Sequence, residues 1–171
     1  RSFDSTGPAN DGEVEDHRFI IRNPLNQPVT FLRSVQVGDR INGGPDIGYT
    51  DFFGWDSAPI GDLNRDGVAD LVVTAPADGG VDVVRGAVYV LFFNSTGSVR
   101  SSVKIGNRIN GGPALLPGDA FGESVTSLGD IDGDGFPEIA VGASGDDTGG
   151  KDRGAIYVVS LTKTGTAKRV T

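Results

Sequence analysis

Two nine-residue stretches concentrate the oxygen chemistry of this sequence. In "DLNRDGVAD", Asp62, Asn64, Asp66 and Asp70 stand at positions 1, 3, 5 and 9, with Gly67 at position 6. In "DIDGDGFPE" the same positions hold Asp130, Asp132, Asp134 and Glu138, with Gly135 at position 6. Oxygen donors at every second residue of a tight loop converge on one point. The glycine permits the turn that brings the position-7 carbonyl, of Val68 or Phe136, to the same point. Such a point takes a hard cation. Calcium accepts about six to eight oxygens in forgiving geometry, whereas magnesium demands a stricter octahedron and keeps its waters, so the spacing predicts two Ca2+ sites. The helix-loop-helix calcium motif needs an acid at position 12, where Val73 and Val141 stand inside apolar runs, and is excluded. One Asp-Gly turn with stray acids is an ordinary solvated hairpin, but here the pattern occurs twice in the same register. Without an ion the crowded carboxylates are expected to repel and raise one another's pKa, a cost that a divalent cation reverses.

The two stretches belong to a longer internal repeat. "VQVGDRINGGP" from Val35 aligns with "VKIGNRINGGP" from Val103, and the offset of 68 residues then holds without a gap. Phe53-Gly54 meets Phe121-Gly122, Ala75 meets Ala143, and "RGAVYV" from Arg85 meets "RGAIYV" from Arg153. Two copies of one structural unit follow, residues 35–102 and 103–171. Residues 1–34 align only weakly with the latter half of such a unit, as a worn half-repeat or an unrelated N-terminal extension.

Elements must hold these loops in place. "LVVTA", "EIAVGA", "GAVYVLF" and "GAIYVVS" are short runs rich in β-branched and apolar residues bounded by Gly and Asp, and read as strands. "INGG" at Ile41 and Ile109 carries the Asn-Gly signal for a tight turn with positive φ. With "VKIGNRI" as the opening strand of the second unit, about four strands fall in each copy. A four-stranded sheet at fixed period describes a propeller blade, so the expected class is all-β, with antiparallel blades of a partial β-propeller, about two and a half in number. The 27 Gly and 9 Pro of 171 residues agree with strands joined by many turns.

Charge and composition exclude several partners. The net charge of −8 and pI of about 4.5 repel phosphate backbones and anionic membrane surfaces, so no nucleic-acid partner is expected. No apolar run is long enough for direct membrane insertion. The absence of cysteine excludes disulfides and thiolate sites and leaves the compartment open. The start at Arg1 and the absence of methionine point to a piece of a longer polypeptide.

Phe-Gly in "FGESV", the acidic loop, then "VGAS" or "VTAP", then "GAIYVV" or "GAVYVL", resemble the FG-GAP repeat of integrin α-subunit β-propellers and related surface proteins. The resemblance covers roughly residues 35 to 161. It implies blades whose calcium sits in the hairpin between the first and second strands. Departures are Glu138 for the usual aspartate at position 9, Asn64 for a carboxylate, and "FGWDSAP", which makes the first strand of the first copy irregular near Trp55 and Pro59. A closed propeller takes about four to eight blades. Three arrangements stay open: part of a larger propeller, a homo-oligomeric ring in which the "RSVQVGDRI" strand completes a neighbour's blade, or an N-terminal segment that covers the open face.

His17, beside Asp16, reads as a solvated side chain and not a base, and no nucleophile–base–acid constellation accompanies it. Tyr89 and Tyr157 occupy equivalent places in inner strands and read as core. Trp55 stands where the second copy has Glu123 and is open to packing or to ligand binding. "NST" at Asn94 is a glycosylation acceptor or merely a turn. The expected function is a calcium-binding, non-enzymatic module of an extracellular or cell-surface protein, used for adhesion or contact with a protein or glycan ligand. The alternative is an accessory glycan-binding or scaffolding domain of a larger secreted hydrolase.

Overall fold

The computed structural model describes residues 34–79, 83–151 and 153–171, and the readings on residues 1–33, including His17, lie outside the described residues. Among the described residues there are eight strands and no helix, so the class is all-β. The first four strands are β1 (Ser57–Gly61), β2 (Asp70–Ala75), β3 (Ala87–Phe93) and β4 (Val99–Gly106). The second four are β5 (Ser124–Gly129), β6 (Glu138–Ala143), β7 (Ala155–Leu161) and β8 (Ala167–Val170). They form two antiparallel sheets, ordered β1-β2-β3-β4 and β5-β6-β7-β8, as propeller blades do.

The repeat and the sheets are out of phase, which corrects the reading of "VKIGNRI" as the opening strand of the second sheet. Val103 to Gly106 pair with Val90 to Ala87 and close the first sheet as its fourth strand. The cause is the turn that follows β3. Asn94 accepts the amides of Thr96 at 2.9 Å and Ser98 at 3.3 Å on its side-chain oxygen, and its own amide reaches the Ser98 carbonyl at 3.0 Å. That hairpin sends the chain straight back along β3, so "NST" serves here as turn chemistry. The matching stretch before Gly38 has no ladder among the described residues, so the strand expected in "RSVQVGDRI" reduces to an isolated bridge between Gly38 and Ile41.

The Asn-Gly signal holds in both copies: Asn42 and Gly43 have φ of 51° and 79°, and Asn110 and Gly111 have 50° and 82°. The turn also ties successive parts of the chain together. The Asn42 carbonyl accepts the Val99 amide at 2.9 Å, and Asn110 does the same for Ala167. A Cβ at Gly43 would lie 1.9 Å from the Val99 carbonyl oxygen, so the approach requires glycine.

Alternation along the strands splits the core. One face of the first sheet (Ile60, Val72, Val88, Val90, Ile105) packs in a single cluster with Phe121, Val125, Ile139, Val141 and Val159 of the second copy. The opposite face (Val73, Tyr89, Leu91, Val99) is covered by Val37 and Phe53. Among the described residues the second sheet is covered on one side: Val88 is fully buried, whereas Ile156, its counterpart at the repeat offset, is 72% exposed.

Tyr89 is core, as expected, and Tyr157 is half-buried at the matching place, its ring edge-on to Phe121. Their hydroxyls donate to Asp78 and Asp146, acids one repeat apart in the loops after β2 and β6. Burial pushes both phenols well above their usual pKa, and the Tyr157 hydroxyl holds the Asp146 carboxyl below the usual carboxylate range.

Candidate metal centre

Both acidic loops leave the sheet from the same irregularity. The register passes from Pro59↔Leu71 to Gly61↔Asp70, and likewise from Ser127↔Ile139 to Gly129↔Glu138. Each step is a one-residue bulge, and its presence in both copies removes Pro59 as the cause of the irregularity expected in β1. The bulge sets the position-9 acid opposite the glycine that precedes position 1, so the ladder pins both ends of each loop. The loops therefore lie between the first and second strands of each sheet.

Inside the loops, carboxylates organise the backbone before any ion is considered. Asp62 accepts the amides of Asp66 at 2.9 Å and Gly67 at 2.8 Å, and Asp130 accepts those of Gly133 at 2.8 Å and Gly135 at 2.9 Å. Asp132 takes the Asp134 amide at 3.1 Å. Val68 and Phe136, at position 7, donate their amides to the position-5 acids Asp66 and Asp134, each at 2.9 Å. The position-9 acids are buried: Asp70 accepts from Leu63 at 3.0 Å and Phe93 at 3.3 Å, and Glu138, 1% exposed, accepts from Ile131 at 2.9 Å.

In the second loop, oxygens of Asp130, Asp132 and Glu138 lie within 4.8 Å of one another. The position-5 acids stand apart from that convergence. Asp66 is ion-paired to Arg100 of β4 and Asp134 to Lys168 of β8, each at 2.7 Å. These two basic residues are missing from the sequence reading. Arg100 and Lys168 stand one repeat offset apart, which marks them as equivalent but does not show that they reach the loops.

The expected upward pKa shift from mutual repulsion does not hold throughout. The Gly67 amide, first among several, holds the Asp62 carboxyl below its ordinary range, and Lys168 does the same for Asp134. Donated hydrogen bonds stabilise the charged form more than the neighbouring acids disfavour it. Asp70 moves up, because burial penalises its charge.

Two loop oxygens have no partner. Asn64 Oδ1 at position 3 of the first loop and Glu138 Oε1 at position 9 of the second are buried and make no hydrogen bond. A buried acceptor in that condition costs free energy, and a buried carboxylate oxygen costs more. Hard-oxygen donors with two unfilled acceptors fit a hard divalent cation and no soft one.

A family model of the FG-GAP repeat matches residues 53–91 and 121–159, each spanning the Phe-Gly pair, the acidic loop and most of the first three strands. The chain carries two FG-GAP repeats. Relatives extend the likeness: human integrin α-6 is 42% identical over 106 residues, 60% of this chain and 8% of that protein. Chicken integrin α-6 is 38% identical over 148 residues, 85% of this chain and 12% of that protein. Mouse integrin α-7 is 40% identical over 116 residues, 67% of this chain and 8% of that protein. The chain thus spans about a tenth of the length of these relatives. In the FG-GAP repeat of the first copy, Trp55 is 60% exposed and rests against Phe52 with ring centroids 6.0 Å apart.

Proposed function

We propose that the chain is a calcium-binding β-propeller module of an extracellular or cell-surface adhesion protein, with Ca2+ as a structural ion and no catalytic role. The observation that carries this reading is the pair of buried, unpartnered oxygens, Asn64 Oδ1 and Glu138 Oε1, one in each acidic loop. Asp62, Asn64, Asp66, Asp70 and the Val68 carbonyl would hold one ion. Asp130, Asp132, Asp134, Glu138 and the Phe136 carbonyl would hold the other. When bound, the ion supplies two positive charges to each cluster, which satisfies those acceptors and joins the first strand of a blade to the second. Arg100 and Lys168 compete with it for Asp66 and Asp134, which keeps the ion-free loops ordered at some loss of affinity.

Extracellular modules commonly bind calcium at about 0.1–1 mM, a level found outside cells and not in the cytosol, which favours an external location. The likeness to integrin α chains favours contact with a protein ligand. Residues 35–102 and 103–171 are the two copies that would each contribute one ion.

Removing the ion is the direct check. An ion at about 100 times its dissociation constant stabilises the fold by roughly 2.7 kcal/mol per site. For a domain of this size that corresponds to about 5–10 °C in Tm. EDTA is expected to lower the melting temperature by that order for each site, and excess calcium to restore it. Equal melting in EDTA and in calcium overturns the reading.

A further inference from the structure

We infer that Arg65 couples the two acidic loops, so that calcium in the first loop strengthens calcium binding in the second. The inference rests on the calcium reading above and assigns a positioning role to a residue that supplies no ligand.

Arg65 stands at position 4 of the first loop with φ of 63°, and Gly133 occupies the same position of the second loop with φ of 77°. Side-chain-bearing residues rarely adopt this backbone, so the second copy uses the unstrained residue and the first keeps an arginine at a conformational cost. Its side chain reaches the neighbouring blade. The guanidinium carbon lies 5.1 Å from the centre of the Phe136 ring, and Nη2 lies 3.5 Å from the Gly135 carbonyl oxygen. Gly135 and Phe136 are positions 6 and 7 of the second loop. The Gly135 amide already binds Asp130, and Phe136 packs against the shared core. The arginine therefore presses on the two residues whose turn sets the position-7 donor.

Two effects of opposite sign act here. The positive guanidinium repels an ion in the second loop, but Arg65 is exposed and water screens that repulsion. The stacking contact instead orders the donors, and it holds best when the first loop is itself fixed by its ion. Ordering wins in this balance, and the coupling is reciprocal by linkage. Gly133 has no side chain, so the second loop offers no matching arm to a further blade.

The Gly67 and Gly135 amides, bound to Asp62 and Asp130 respectively, report the two sites separately in a proton–nitrogen NMR titration with calcium chloride. Arg65→Asn tolerates the left-handed backbone and is too short to reach Phe136. It is expected to raise the calcium midpoint at Gly135 roughly two- to fivefold, the range of an exposed cation–π contact. Asp62→Ala, which disables the first site, is expected to raise the Gly135 midpoint by a similar factor, and the double variant to show no further rise. Arg65→Lys, which keeps charge and reach, is expected to recover part of the wild-type midpoint. A Gly135 midpoint that is unchanged or lower in Arg65→Asn overturns the inference while the calcium reading stands. So do single effects that multiply in the double variant. Wild-type titrations with no change at either glycine take both down.

Discussion

Glu138→Gln leaves the melting temperature unchanged or slightly raised in EDTA and lowers it in calcium, a reversal of sign that an ordinary core mutation does not produce. The reason lies in the two carboxylate oxygens. Oε2 is occupied by the Ile131 amide, and a glutamine oxygen keeps that bond. Oε1 is buried with no partner, so in the ion-free protein the side chain carries a poorly compensated charge in a position only 1% exposed. Neutralising it relieves that desolvation, by at most about 1–2 kcal/mol because the new amide NH2 is also left unpaired. In calcium the same change removes the most buried charged donor of the second loop. The expected loss is most of that site's contribution, about 2.7 kcal/mol when calcium stands at about 100 times the wild-type dissociation constant. Thermal melts of wild type and variant in the two buffers decide it. A variant less stable than wild type by the same amount in both buffers would mean that Glu138 is a packing residue only.

Phe121→Ala is expected to destabilise the chain by about 3–5 kcal/mol, the range for emptying a large buried aromatic site. Phe121 is fully buried in the cluster shared by both sheets and meets Tyr157 edge-on at 5.5 Å. Its backbone is tied as well, the amide donating to the Arg85 carbonyl at 2.9 Å, so the site has little freedom to collapse. The counterpart Phe53 is only partly buried, packing beside Val37 on the sheet face that carries Tyr89, and Phe53→Ala should cost clearly less. Urea unfolding with unchanged slope would measure both. Equal losses at the two positions would contradict the assignment of the shared cluster as the main core.

Much of this arrangement was legible from spacing. The 68-residue offset located both loops, the Phe-Gly pairs and the inner-strand tyrosines, because each is a local pattern of residue type. The phase of the sheets was not legible. "VKIGNRI" carries strand character but not the identity of its partner, and the hairpin at Asn94 decides that by returning the chain along β3. The bulge at Ile60 and Leu128 was likewise hidden, since nothing in β-propensity reveals where a ladder gains a residue. Within the loops, the alternating acids suggested the proposed donor set but not the hold of Arg100 and Lys168 on the position-5 carboxylates. Those cations come from the fourth strand, 34 residues farther along the chain, and only the closed sheet brings them near.

Each acidic loop is proposed to hold one calcium ion. Equilibrium dialysis of the EDTA-stripped chain against radioactive calcium, up to several millimolar, measures it directly. The expected result is two ions per chain at saturation, falling to one in Asp62→Ala and to one in Asp130→Ala. No retained calcium at the highest concentration, or retention unaffected by both substitutions, would contradict it.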